Sequence, residues 1–180
     1  MNIWYYPILI SFLGGILCLF FPRKWATGPR VLSIIVSIAV LAFTIYFFRD
    51  EFADEYLVKD GLSSFILLAI GFFGIITVLY SLKYMSLHHR QNEFYALVLM
   101  TISGAIAAIM ANDLRILIVA WGFLAITLYL LVAIGSSEES AYAAKKTLII
   151  VGGTDALMLM GVLIIRFLSK SWNMTEISLS

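Results

Sequence analysis

Lys145 and Lys146, followed nine positions after Lys146 by Asp155, are the residues whose types and spacing could do chemistry in this chain. Asp155 stands inside an apolar run that continues to Leu168. An ionisable group at membrane depth costs about 2.5–3.5 kcal/mol even on the lenient insertion scales. A chain keeps such a group when it is paired, faces water, or moves protons or ions. Asp155 lies eight residues past Thr147, about 12 Å along a helix at 1.5 Å per residue. That is near the middle of a roughly 30 Å hydrocarbon core.

The neighbours of Asp155 are small: Gly152, Gly153, Thr154, Ala156 and then Gly161. Small residues let a second helix come close, so the carboxylate is expected to face protein or a hydrated cavity rather than lipid. Two readings stand open. Asp155 is a relay carboxylate in a proton or ion path, or it is a packing aspartate hydrogen-bonded to a neighbouring hydroxyl. Lys145 and Lys146 are path candidates too, although lysines at span ends also snorkel and set topology. Nine residues at about 100° each put Lys146 and Asp155 on opposite sides of a helix. A direct pair within that helix is ruled out, and water or other helices would have to connect them.

Those side chains need a membrane around them, and composition supplies the case for one. Of 180 residues 62% are hydrophobic and 13% charged, against about 45–50% and about 25% in soluble domains. The net charge of +1 comes with no basic patch, so nucleic acid is excluded as a partner. Cys18 is the single cysteine, which excludes an intrachain disulfide and a cysteine-held cluster. No nucleophile–base arrangement, phosphate loop, H-E-x-x-H spacing or haem or flavin motif is present. No cofactor is expected, and no covalent catalysis by this chain alone. A cleavable signal peptide is not expected either, because Met1-Asn2-Ile3-Trp4 has no basic leader.

Six apolar runs are long enough to cross a bilayer: about 3–21, 31–48, 62–82, 94–111, 114–134 and 147–168. Helices follow, since backbone groups in lipid must be satisfied within the segment or in a closed barrel, and these runs are too evenly apolar for barrel strands. The fold class is an all-α membrane protein: a bundle of six transmembrane helices over 1–168, with a polar tail or interfacial segment over 169–180. The connections after spans one, three and five hold Arg23, Lys24, Arg30, Lys83, Arg90, Lys145 and Lys146. Those after spans two and four hold Arg49, Lys59 and Arg115. The positive-inside rule then places both termini on the outer side. Asp113 and Arg115 read as a local charge pair at a helix start. Lys83, Tyr80 and Tyr84 read as interfacial anchors. Gly14, Gly15, Gly71, Gly74 and Gly104 read as close helix contacts.

The order of short patterns along the chain is specific where each alone is weak. Asp60-Gly61-Leu62-Ser63 opens the third span and Tyr80-Ser81-x-x-Tyr84-Met85 closes it. Phe94-Tyr95 begins the fourth, and Asn112-Asp113-Leu114 begins the fifth, which contains Trp121 and Leu128-Tyr129-Leu130-Leu131. Ala143-Ala144-Lys145-Lys146 then precedes Gly153-x-Asp155 and Gly161. In this order the chain resembles the N-terminal part of the antiporter-like proton-translocating membrane subunits of complex I, membrane-bound hydrogenases and Mrp-type antiporters. The resemblance implies a bundle in which midplane charges relay protons through buried water. By position it assigns Asp155 to the carboxylate of the sixth helix and Lys146 to the lysine nine residues before it.

Two departures bear on function. The family tryptophan of the fifth helix is normally followed by a glutamate, but here Trp121 is followed by Gly122. Members also have about fourteen helices, with a broken seventh that holds a lysine, whereas this sequence gives six. The expected function is therefore a membrane-arm subunit of a multisubunit ion-translocating complex, contributing part of a proton or sodium path. The alternative is a structural or assembly subunit of such a complex. An independent small carrier is a third, weaker reading. The chain would be a non-catalytic subunit of an assembly resembling NADH:quinone oxidoreductase, a hydrogenase or an antiporter. Expected partners are lipid and other membrane subunits, including a chain that supplies the remaining antiporter-like helices. The expected location is a prokaryotic inner or plasma membrane, crossed several times.

Overall fold

The apolar runs fold as helices whose ends are fixed by short polar residues. This computed structural model describes residues 3–22, 25, 27–135 and 137–177. Among the described residues six helices follow one another: α1 (Tyr6–Phe20), α2 (Thr27–Tyr46), α3 (Gly61–Tyr84), α4 (Gln91–Met110), α5 (Leu114–Ala133) and α6 (Glu138–Ser169); each is long and apolar enough to cross a membrane, the first counted from Ile3. One turn of 3-10 helix, Ile3–Tyr5, leads into α1. Asp60 starts α3 by accepting a hydrogen bond from the Ser63 amide at 2.7 Å, Asp113 starts α5 and Ser137 starts α6. Each cap satisfies an amide that the helix itself leaves open.

The sequence reading needs amendment at two places. The sixth helix begins at Glu138, nine residues before the apolar run, because Ser137 caps it and Glu138 and Glu139 suit its first turn. Its 32 residues span about 48 Å, more than a roughly 30 Å core. The second difference is a two-stranded antiparallel ribbon, β1 (Phe52–Ala53) with β2 (Val58–Lys59), between α2 and α3.

α4 is the centre of the bundle, touched by α1, α2, α3 and α5. Tyr95, Leu99, Ile106 and Met110 on α4 are fully buried, together with Val78 of α3 and Cys18 of α1. Glycine permits the closest approaches. A Cβ on Gly15 would meet Met100 Cγ at 2.8 Å and the Ala96 carbonyl at 2.9 Å, so α1 lies directly on α4. A Cβ on Gly71 would stand 3.2 Å from Leu41 Cα, which fixes α3 against α2. Gly14, Gly74 and Gly104 also face side chains of neighbouring helices, as their reading predicts.

One end of the bundle is stitched by backbone bonds. The Asn112 amide donates to Tyr56 O at 2.9 Å, and its side-chain amide donates to Asp54 O at 3.2 Å. The Leu114 amide donates to Trp172 O at 2.9 Å, and the Met174 amide to Asn112 O at 2.7 Å. The α4–α5 turn thus joins the ribbon to the segment after α6. Lys59 is part of the same end and is only 2% exposed. Its Nζ donates to the carbonyls of Phe47 at 3.0 Å and Asp50, just past the end of α2, and lies 4.8 Å from the Trp4 ring centroid. Burial pushes its pKa below the usual lysine value, against the opposing pull of Asp50, Glu51 and Asp60.

At the opposite end Arg30 Nη2 donates to Gln91 Oε1 at 2.6 Å, and Asn92 Nδ2 donates to Phe21 O at 2.8 Å. Arg90 pairs with Glu93 and reaches Ala133 O. The connections after helices one, three and five therefore meet at one end, and those after two, four and six at the other.

Candidate proton-path site between α5 and α6

α6 packs chiefly on α5, and the contact between them carries the polar chemistry. An indole N–H at membrane depth needs an acceptor, because lipid offers none. Trp121, on the eighth position of α5, donates from Nε1 to Asp155 Oδ1 at 2.8 Å. Asp155 is half-buried on α6, eleven residues before Arg166, or about 16 Å along the helix. No other hydrogen bond to a described residue engages its carboxylate. Thr154, its neighbour, turns its hydroxyl to Val151 O of its own helix.

The surface around this pair is open. A Cβ on Gly122, Gly152, Gly153 or Gly161 would meet nothing within 4 Å. The small residues that predict a close helix contact are therefore not covered by the helices of this chain. Of the best apolar window of α6 only 6% is buried, against 50% for α4. Among the described residues, α5 and α6 form the least buried pair of helices.

Lys145 and Lys146 lie within α6, both exposed, and neither forms an ion pair with any described residue. The structure does not bring either one to Asp155. Asp113 and Arg115 form the expected local pair: Arg115 Nη2 lies 2.6 Å from Asp113 Oδ2, and the Arg115 amide donates to Asp113 Oδ1. The Arg115 guanidinium holds the Asp113 carboxyl below the usual range. Reading the sequence alone missed Trp121 as a partner of Asp155. The signal was there, since a tryptophan inside a span must place its N–H.

A six-helix membrane bundle, arranged as in the N-terminal part of the antiporter-like subunits, is the class that this fold defines. Over 95% of this chain and 37% of the other, it superposes on a chain of the membrane-bound sulfane sulfur reductase, an archaeal respiratory membrane complex, with TM-score 0.75 at 18% identity. Over 93% of this chain and 38% of the other, it superposes on a chain of respiratory complex I from Thermus thermophilus, with TM-score 0.78 at 21% identity. The TgpA N-terminal domain family matches residues 1–176, and the chain belongs to that family.

Curated relatives bear another name over the same stretch. NAD(P)H-quinone oxidoreductase chain 4 of Glycine max chloroplasts is 26% identical over 184 residues, covering 91% of this chain and 36% of the relative. The Jasminum nudiflorum protein of the same name is 28% identical over 179 residues, covering 87% of this chain and 35% of the relative. The chain spans about a third of the length of the curated relatives it matches.

Proposed function

We propose that this chain is a membrane-arm subunit of a multisubunit ion-translocating complex and supplies part of a proton or sodium path. Asp155 is the relay carboxylate and Trp121 its positioning residue. The observation that carries this reading is the 2.8 Å bond from the indole N–H to a carboxylate inside two membrane-crossing helices. One carboxylate oxygen is held while the other is left for water or for a companion helix. Lys145 and Lys146 lie on the same helix, about two turns past its start at Glu138, and reach Asp155 through water or through helices of another chain. That chain packs on the open face marked by Gly122, Gly152, Gly153 and Gly161. The basic-residue asymmetry orients the ribbon end outward across a prokaryotic inner or plasma membrane.

The test is ion flux driven by the assembled complex in sealed vesicles, with Asp155→Asn set beside the unchanged protein. Loss of flux with the complex intact supports a relay. Unchanged flux and unchanged pH dependence would remove Asp155 from the path. A second reading is favoured by one observation, Gly122 after Trp121, where the antiporter-like subunits that the sequence resembles normally carry a glutamate. With no carboxylate at Gly122, the chain serves as a scaffold beside the subunit that conducts. Flux that survives Asp155→Asn while Gly153→Leu disperses the complex would establish that reading instead.

A further inference from the structure

Three buried hydroxyls of the bundle turn back on their own helices. Ser33 donates to Arg30 O at 2.9 Å, Thr44 to Leu41 O at 2.9 Å and Ser81 to Val78 O at 2.8 Å. Two others do not. Ser37 Oγ on α2 and Tyr95 OH on α4 are buried with no hydrogen-bond partner among the described residues, in side chains 1% and 0% exposed. A serine can return to a carbonyl of its own turn. A tyrosine hydroxyl stands too far out for that and needs a partner where it ends. Buried polar groups in folded chains are nearly always satisfied, by protein or by ordered water.

α2 and α4 start from the same end of the bundle, and two contacts fix their register. Arg30 Nη2 donates to Gln91 Oε1 at 2.6 Å, and a Cβ on Gly14 would meet Val36 Cγ2 at 3.0 Å and Leu99 Cδ1 at 3.4 Å. Ser33 is thereby level with Tyr95, and Ser37 with Leu99. Ser37 and Tyr95 are then about one turn apart along the helix axes, or about 5 Å. Further from that end the core is apolar, with Val40, Ile102 and Ile106 buried. Nearer to it Ser33 and Gln91 are buried and polar. The two unpaired hydroxyls thus stand where the polar part of the core gives way to the dry part.

We propose that the core between α2 and α4 holds internal water, bound by the hydroxyls of Ser37 and Tyr95. Buried waters make about three hydrogen bonds each, to polar groups that the protein leaves unsatisfied. Each hydroxyl can donate one bond and accept two. One water on Ser37 Oγ and one on Tyr95 OH would satisfy both groups. Ser33 Oγ has given its proton to Arg30 O and remains an acceptor at the same level. The proposal does not depend on Asp155 or on ion translocation.

The test combines a density map with melting curves, both on the protein purified with the subunits it retains. In a cryo-electron microscopy map that resolves ordered water, density should lie within hydrogen-bond distance of Ser37 Oγ and of Tyr95 OH. Tyr95→Phe and Ser37→Ala each remove a hydroxyl and little else. With water bound, each should lower the melting midpoint by about 2–4 °C, the shift of one lost hydrogen bond in a chain of this size. Each should also abolish the density at its own position. A dry hydroxyl behaves in the opposite sense. An apolar replacement then removes an unpaired polar group, and the midpoint holds or rises. Tyr80→Phe, on a ring 82% exposed, should shift nothing. No density at either hydroxyl, or midpoints that hold or rise in both variants, would overturn the proposal.

Discussion

Trp121 and Asp155 are 34 residues apart and joined by one hydrogen bond of 2.8 Å across the α5–α6 contact. Trp121 is 44% exposed and Asp155 half-buried. A charge-assisted bond from an indole N–H fixes the rotamer of the carboxylate and leaves its second oxygen free. That is the arrangement a relay needs: one atom held, the other available.

Trp121→Phe keeps the ring and removes the donor. Flux through the assembled complex should fall about tenfold, with subunit composition unchanged on native gels. Dispersal of the complex would instead mark Trp121 as a packing residue.

Two glycine substitutions should part company. Gly15→Val drives a side chain into the Ala96 carbonyl of α4, and overpacking of this kind costs about 1–3 kcal/mol in thermal melts. Gly153→Leu meets open space within this chain, so the melt of the isolated protein should shift by less than about 0.5 kcal/mol. In cell membranes the same variant should lose companion subunits. Normal assembly of Gly153→Leu would show that the face is not an interface.

Lys59→Met removes the cation that donates to the carbonyls of Phe47, Phe48 and Asp50, just past the end of α2. Those carbonyls are then left without a donor, and stability should fall by about 1–3 kcal/mol in detergent melts. The ribbon should become the first site of hydrogen exchange.

Acid should loosen the stitched end. The Asp113 carboxyl is held below the ordinary aspartate value of 3.8 by Arg115, and that of Asp60 by the Ser63 amide. Between the folded and unfolded values the unfolded chain binds more protons, so stability rises with pH there. The contribution is complete above about pH 4 to 5 and disappears as pH falls through the lowered values. Asp113→Asn should flatten the acid limb of the melting midpoint, measured from neutral pH downward. An acid limb of unchanged steepness would show that other carboxylates set it.

The six crossings were legible because each is a long apolar run, and lipid leaves the backbone no choice but a helix. The Asp113–Arg115 pair was legible because it is local. The start of α6 was not, since Glu138, Glu139, Lys145 and Lys146 look like a loop until Ser137 is weighed as a cap. Lys59 was counted only as a loop charge, whereas it is a buried donor to three backbone carbonyls. Its burial follows from the fold of the ribbon, two residues per strand, too short for any sequence pattern. The register of α5 on α6, which brings Trp121 to Asp155, is set by packing and leaves no trace in spacing.

The backbone bonds that tie residues 112–114 to Tyr56, Trp172 and Met174 work as a parity check on membrane insertion. They join stretches separated by two crossings each, so they form only when an even number of helices has passed through the bilayer between them. A chain that skipped one crossing would strand these amides on opposite surfaces.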